Sequence, residues 1–182
     1  MTPERRAKIR KVMSSRQKTL HVVLENVDDP HNVGAILRSC DAFGVGEVHL
    51  LYHKDPNSHE TALSPKMSAL KHSKAAASAA KWLKITKCDS VAKLAAYLKK
   101  KKAKIAVTRL TGTSVAPSEV DLTKPVAIVI GNEHAGVSDA LAKKADFNLK
   151  IPMVGFVESF NVSVAAAVLM YEAGRQRSDG DK

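Results

Sequence analysis

The run Val-Ala-Ile-Val-Ile at residues 126–130 restricts the fold more than any other stretch of the chain. All five residues are apolar, so a strand built from them must be covered on both faces of its sheet. Strands of this kind are typical of parallel sheets in α/β proteins. The polar, glycine-containing segment 131–136 follows at once and predicts a tight loop at the end of the strand.

Apolar segments of strand length alternate with segments of helical periodicity along the rest of the chain. The predicted strands are 21–25, 47–52, 82–86, 104–108, 126–130 and 147–151, and the predicted helices are 33–43, 65–71, 89–102, 138–144 and 161–176. This alternation predicts an α/β fold with a mostly parallel sheet and helices on both faces. No repeat or linker interrupts it, so we expect one domain over 20–177 and a disordered tail over 178–182.

The net charge of +11 favours a polyanionic partner, with nucleic acid the first hypothesis and a membrane surface the second. No apolar run approaches the twenty residues that a membrane-spanning helix needs, and the charged N-terminus is not followed by an apolar segment. We therefore expect a cytoplasmic protein without membrane segments. Cys40 and Cys88 are expected to be buried thiols, and the seven histidines lack the short spacings of metal motifs, so no metal is expected.

Residues 1–19 predict a basic helical extension that begins at Thr2-Pro3-Glu4, with proline in the first helical position. An apolar stripe of Ile9, Val12 and Met13 would dock the helix and leave its charges free for phosphates. A solvated terminal helix is the alternative that this segment leaves open. The candidate RNA-binding residues are Arg5, Arg6, Arg10, Lys11 and Arg16.

Three polar loops, at 26–38, 131–138 and 151–161, follow predicted strands. Ligands of open α/β sheets bind beyond the carboxyl ends of the strands, so these loops are the candidate site. The glycine fingerprint of dinucleotide-binding folds and the Walker pattern are both absent from the sequence. This absence disfavours a nicotinamide-dependent oxidoreductase and a nucleotide triphosphatase.

Each loop carries a distinct motif. Asn32-x-Gly34-x-x-x-Arg38 puts an asparagine at a helix start and an arginine one to two turns later, roughly on the same side. The segment 131–136 reads Gly-Asn-Glu-x-x-Gly, in which the glycines allow close approach of the backbone to a ligand. In the last loop, Ser159 or Asn161 is expected to cap the final helix through its side chain.

Together these motifs resemble those of the SpoU family of RNA 2′-O-ribose methyltransferases, in the SPOUT superfamily, over about residues 20–177. The first six residues and the Arg-Gln pair at 16–17 resemble its tRNA guanosine 2′-O-methyltransferase (TrmH) branch. The resemblance implies a deep C-terminal trefoil knot, a homodimer, and S-adenosylmethionine as cofactor. It also implies methylation of a ribose 2′-hydroxyl of RNA, foremost the D-loop guanosine at position 18 of tRNA. Ribosomal RNA, another tRNA position and a non-catalytic RNA-binding role stay open.

The resemblance also assigns roles to individual residues. The implied cofactor-binding residues are Thr108, Leu110, Gly131, Ile151, Ser159 and Phe160, and the implied catalytic residues are Arg38, Asn32, Glu133, Ser159 and Asn161. Ile151 and Phe160 could wall an adenine slot, although core packing would explain them equally well. A guanidinium stays protonated at neutral pH, so Arg38 is expected to bind a phosphate or a developing alkoxide.

The remaining implied roles concern the network around that arginine. Asn32 would orient Arg38 or the ribose, and Glu133 would accept N–H bonds from a loop or from Asn32. Asn161 would join this network, and Ser159 would contact the cofactor or the partner's Arg38. The final helix has a face of mostly small residues, which we expect a partner chain to approach; these residues are Val162, Ala165, Ala166, Leu169 and Ala173.

Overall fold

A computed structural model describes residues 1–54 and 79–179. Its six strands form one parallel sheet in the order β3-β2-β1-β5-β4-β6. The strands are β1 Gln17–Glu25, β2 Val45–Leu51, β3 Ile85–Cys88, β4 Lys104–Thr108, β5 Val126–Ile130 and β6 Phe147–Leu149. The helices are α1 Pro3–Ser14, α2 Pro30–Ala42, α3 Val91–Lys100, α4 Asp139–Ala142 and α5 Val162–Asp179, with a 3₁₀ turn at Pro117–Glu119.

The apolar run 126–130 is the buried central strand that the sequence predicts. All of β5 is buried, and Ile128 lies between Val22 of β1 and Ala106 of β4 in the register of the sheet. The predicted α/β class and the parallel sheet are therefore confirmed. The helix predicted at 65–71 lies outside the described residues.

Two apolar layers cover the sheet, one on each face. Alternate residues of β1 enter them, because successive side chains of a strand point to opposite faces. Leu20, Val22 and Leu24 pack in the layer formed with α2 and α5, whereas Val23 packs in the layer formed with α3. Helices thus lie on both faces of the sheet, as the alternating sequence predicts.

Two boundaries differ from the prediction in ways that shape the site. Helix α2 begins at Pro30 rather than at 33, because Asp29 caps it by accepting from the backbone N–H of His31 at 2.8 Å. Asn32 therefore lies in the first helical turn. Strand β6 ends at Leu149 rather than at 151, so Ile151 belongs to the following loop.

The N-terminal region also differs. Helix α1 starts as predicted, with Thr2 accepting from the backbone N–H of Arg5, but it buries no residue. Val12 and Met13 are 42% and 47% exposed, so the predicted apolar stripe does not dock against the described part of the chain. Residues 17–19, expected in the extension, are the polar start of β1, where Gln17 bonds to the carbonyl of Gly44.

Smaller corrections concern β3, α5 and Cys88. Strand β3 begins at Ile85 rather than at 82, since the preceding Leu83 enters the core without pairing to β2. Helix α5 continues to Asp179, beyond the predicted end at 176, because Arg177 donates to the carbonyls of Leu122 and Lys124. Residues 178 and 179, predicted in a disordered tail, are thus helical. Cys40 is buried as expected, whereas Cys88 is only partly buried.

The predicted helices 89–102 and 138–144 are shorter in the structure, where they span Val91–Lys100 and Asp139–Ala142. In both, a serine accepts a backbone N–H at the N-terminus and fixes the start of the helix. No helix in the described ranges has the length and apolarity needed to cross a membrane.

We expect Ile128→Ala to destabilise the protein by about 2–5 kcal/mol, because it opens a cavity in the central strand that neighbouring strands cannot fill. Chemical denaturation followed by circular dichroism would measure the change in unfolding free energy. The exposed Val12→Ala should change it by less than about 0.5 kcal/mol. Similar values for the two variants would contradict the central position of β5.

Candidate functional site

A pocket of about 700 Å³ lies beyond the carboxyl ends of β4, β5 and β6. It is lined by the ends of these three strands, by the loops that follow them and by the first part of α5. All six residues predicted to bind a cofactor are among them, namely Thr108, Leu110, Gly131, Ile151, Ser159 and Phe160. Because β6 ends at Leu149, Ile151 belongs to the loop after the strand, where it lines the pocket and also packs against the core.

Gly131 and Gly136 shape one wall of this pocket through a tight backbone crossing. Asn132 and Gly136 exchange backbone hydrogen bonds of 2.9 and 3.0 Å. A Cβ on Gly131 would lie 2.2–2.4 Å from the backbone of Gly136 and Val137, which no real structure allows. Gly136 has a φ of +69°, a left-handed conformation that favours glycine. The two glycines of the motif are thus required by the shape of the loop.

The Glu133 carboxylate joins this loop to the start of α2. Its oxygens accept from the backbone N–H groups of Asp28 at 3.2 Å and Asp29 at 3.3 Å. The side-chain amide of Asn32 also donates to it, at 2.9 Å. Charged acceptors make stronger hydrogen bonds than neutral ones, so this carboxylate fixes both the loop and the orientation of Asn32.

Asn161 extends the same network to the third loop. Its amide donates to the Asn32 oxygen at 3.1 Å, while its own oxygen accepts from the backbone N–H of Ser163 at 2.9 Å. Asn161, rather than Ser159, is therefore the residue that caps α5. One side chain both starts the helix and holds Asn32.

Asn132 has a structural role that we did not predict from the sequence. Its amide nitrogen donates to the Asn26 carbonyl at 2.9 Å and to the Asp28 carboxylate at 3.2 Å, while its oxygen accepts from the N–H groups of His134 and Ala135. The sequence feature that could have indicated this role is the position of Asn132 directly after a buried strand, between Gly131 and Glu133.

Glu25 also has a structural role that we did not predict from the sequence. It is buried at the carboxyl end of β1, with 1% of its surface exposed. It accepts from the backbone N–H and the hydroxyl of Ser138, at 2.9 and 2.6 Å, and pairs with His53 at 2.8 Å. Ser138 caps α4 and lines the pocket. An acid that ends an apolar strand was the signal in the sequence.

Tyr52 contacts the segment that precedes α2. Its hydroxyl donates to the carbonyl of Val27 at 2.8 Å. Burial, helped by the negative charges of Asp28 and Glu133, raises the pKa of Tyr52, so the phenol stays protonated and remains a donor.

Arg109 and Asp139, which both line the pocket, form an ion pair at 2.7 Å.

Arg38 is not brought to the pocket. Six helical positions separate it from Asn32, which corresponds to about 120° around the axis of α2 rather than to the same side as expected. Arg38 lies on the exposed stripe of the helix with His31 and Ala35. It forms no hydrogen bond or ion pair with the residues that the structure describes, and it is not among those lining the pocket.

Much of the small-residue face of α5 packs inside its own chain, whereas the sequence predicts that this face is open to a partner. Ala166, Leu169 and Ala173 are buried within the chain, where α5 packs against α2. The outer face of α5 instead carries large exposed apolar side chains, and the preceding loop exposes more. These are Val164, Val168 and Tyr171 on the helix and Val154, Phe156 and Val157 in the loop.

The basic residues of the N-terminal region divide into two groups. Arg5, Arg6, Arg10 and Lys11 are exposed along α1. Arg16 is different, because only 7% of its side chain is exposed and it forms a salt bridge with Asp41. Its guanidinium is thus committed inside the chain, which corrects its place among the predicted RNA-binding residues.

Known proteins share the sequence and the fold of this chain. The sequence model of the SpoU rRNA Methylase family matches residues 19–171. A tRNA (guanosine(18)-2′-O)-methyltransferase of Escherichia coli K12 is 37% identical over 179 residues, which covers 98% of this chain and 73% of that protein.

Two solved structures are similar in fold. The Aquifex aeolicus TrmH/SpoU tRNA modifying enzyme has a TM-score of 0.78 and 36% identity, covering 98% of this chain and 85% of its own. The SpoU methyltransferase AviRb of Streptomyces viridochromogenes, in complex with the cofactor AdoMet, has a TM-score of 0.72 and 26% identity, covering 92% of this chain and 61% of its own. The motifs, the parallel sheet and these matches together show that the chain belongs to the SpoU rRNA methylase family.

Proposed function

We propose that the protein transfers a methyl group from S-adenosylmethionine to a ribose 2′-hydroxyl of RNA, at guanosine 18 of tRNA. The main support for this proposal is that all six predicted cofactor-binding residues line one pocket, with the Glu133–Asn32–Asn161 network at its edge. The name of the E. coli relative supports the choice of nucleotide. A tRNA substrate would place the protein in the cytoplasm, as the sequence predicts.

The pocket fits the cofactor in size and chemistry. Ile151 and Phe160 would wall the adenine, and the close backbone crossing at Gly131 would offer main-chain groups to its polar edge. Thr108 turns its hydroxyl to the carbonyl of Val129 at 3.1 Å, so it would contribute its methyl group and backbone. When bound, S-adenosylmethionine supplies an electrophilic methyl group on a sulfonium.

The asparagines would position the RNA at this pocket. Asn32 is held from two sides, by Glu133 and by Asn161, so its amide has one fixed orientation. A fixed amide can orient a ribose at little entropic cost. Ser159, which is exposed and lines the pocket, would contact the cofactor.

Arg38 would complete the site from a second copy of the chain. It lies away from the pocket of its own chain, whereas the exposed apolar side chains of α5 and its preceding loop offer a surface for a homodimer. Apolar patches of this kind mark protein interfaces. A positively charged Arg38 would bind the RNA phosphate and stabilise the developing alkoxide, while phosphate or water takes the proton.

We also propose that the C-terminal part is threaded as a trefoil knot, an exception to the unknotted paths of most folds. The path of the chain supports this. After the edge strand β6, α5 returns to the interior of the fold, where Gln176 accepts from the N–H of Leu122 and donates to the Pro117 carbonyl. The final helix thus packs beneath the connection between β4 and β5.

Helix α1 would grip the RNA away from the pocket. Arg5, Arg6, Arg10 and Lys11 are four of its five exposed cations, and Glu4 is the only acidic residue of the helix. Such a helix attracts phosphates without reading sequence.

The central test is methyl transfer from labelled S-adenosylmethionine to unmodified tRNA transcripts. We expect label in a transcript with guanosine 18 and none in one with 2′-deoxyguanosine there, since the acceptor oxygen is gone. Transfer to both transcripts would move the methylated position elsewhere in tRNA. Label only in ribosomal RNA would favour the substrate in the family's name. No transfer to any RNA would leave an RNA-binding role.

Mixed dimers would test the origin of Arg38. Arg38→Ala and Gly131→Ala should each lose at least about 100-fold in transfer, the second because an added Cβ disrupts the cofactor loop. If the arginine acts across the dimer, a heterodimer of the two variants has one complete site and regains activity. A chain with both substitutions, paired with wild type, should then be inactive. The reverse pattern would place Arg38 in the site of its own chain.

The role of α1 predicts a change in salt dependence. Replacing Arg5, Arg6, Arg10 and Lys11 with glutamine should weaken tRNA binding and flatten the log–log salt slope by about 3–4. Cofactor binding should not change. A control with Lys93, Lys99, Lys100 and Lys102 replaced removes equal charge from the region of α3. Equal losses of tRNA affinity in both variants, measured by filter binding, would show that the effect depends on the net charge of the protein and not on the position of α1.

A further inference from the structure

A cluster of ionisable side chains is buried on the sheet face beneath α3. His21 of β1 is the register partner of Glu47 of β2, and His49 lies two residues further along β2 on the same face. The three residues are only 2%, 4% and 1% exposed. Buried ionisable groups are costly unless they are paired or bind an ion.

Each side chain offers one ligand atom, and the three atoms lie within 4.8 Å of one another. Nδ1 of His21 lies 3.3 Å from Nε2 of His49 and 3.4 Å from Oε2 of Glu47. Nε2 of His49 lies 3.7 Å from the same carboxylate oxygen. A tetrahedral Zn²⁺ with bonds of about 2.0–2.1 Å separates its ligands by about 3.3–3.4 Å, so two of the three separations match such a site and the third is longer.

Tyr97 supports the carboxylate from α3. Its hydroxyl donates to Oε2 of Glu47 at 2.5 Å, and its ring packs edge-on against His49 at 5.4 Å. Hydrogen bonds of this kind orient the ligands of metal sites and raise their affinity.

We propose that His21, Glu47 and His49 form a structural Zn²⁺ site, with a water as fourth ligand. Two imidazoles and one carboxylate form a ligand set that Zn²⁺ takes in proteins. The site lies under α3, whereas the pocket is at the carboxyl ends of the strands, so the metal would tie α3 to the sheet rather than act on substrate.

A competing cation already contacts this cluster. The Lys84 ammonium forms a salt bridge with the other oxygen of Glu47, while 65% of its side chain is exposed. Zn²⁺ at Oε2 would have to bind against the positive charges of Lys84, at the other oxygen, and of Lys101, which lies over the Tyr97 ring at 5.4 Å. Removing Lys84 should therefore tighten metal binding.

The local sequence does not show this site. Glu47-Val48-His49 is a common short pattern on a strand, and His21 is distant in sequence. Only the pairing of β1 with β2 brings the three together. The expectation of no metal, drawn from short histidine spacings, had no means of detecting ligands on neighbouring strands.

Titration of the metal-free, full-length protein with Co²⁺ is the test. We expect one Co²⁺ per chain, with the intense visible absorption of tetrahedral cobalt, and its displacement by Zn²⁺, which such sites bind more tightly. His49→Gln should abolish this absorption. Tyr97→Phe should weaken affinity by about 10–100-fold, and Lys84→Gln should strengthen it.

Two matched variants control for other ligands and for charge. His31→Ala removes an exposed histidine, and Lys87→Gln removes the same charge as Lys84→Gln from the neighbouring strand β3. Neither should change Co²⁺ affinity. Circular dichroism would check the folding of His49→Gln, and the Lys84 comparison tests the site even if that variant unfolds.

Three results would overturn the proposal. They are the absence of tetrahedral cobalt absorption in the wild-type protein, unchanged binding in folded His49→Gln, and equal affinities in Lys84→Gln and Lys87→Gln. None of these readouts depends on methyl transfer, so the proposed enzymatic function could fail or succeed independently.

Discussion

The geometry of the candidate site depends on one carboxylate, that of Glu133. It accepts two backbone N–H groups from the segment before α2 and the side-chain amide of Asn32. Loops that lie more than a hundred residues apart in sequence are thereby held together at one edge of the sheet. The charge of the acceptor strengthens each bond, and the partial burial of the site limits competition from water.

Asn161 carries this constraint into the third loop, because it caps α5 and holds Asn32 at the same time. The loop between β6 and α5 is thus fixed at its end, while its middle exposes Val154 and Phe156. A single chain therefore holds the pocket beside an exposed apolar surface, while Arg38 lies away from the pocket. In the proposed dimer these features become parts of one site.

The two faces of the sheet differ in their chemistry. The layer with α2 and α5 is apolar, whereas the layer under α3 contains His21, Glu47 and His49. These polar residues alternate with Val22 and Val48, so each strand keeps one apolar side for the first layer. The sheet can thus support the pocket at its edge and a polar cluster on one face.

The sequence by itself determined the fold class, the central strand and the two pocket loops at 131–138 and 151–161, since apolar runs and the polar, glycine-containing loops are local signals. The six predicted cofactor-binding residues came from the family resemblance of the motifs. The sequence did not determine the roles of Arg16 and Arg38. The charge of an arginine is visible in sequence, but whether it meets Asp41 inside the chain or solvent outside depends on packing. The same holds for His21 and His49, which only become neighbours when β1 pairs with β2. Tertiary structure decided these points, because contacts across strands have no periodicity along the chain.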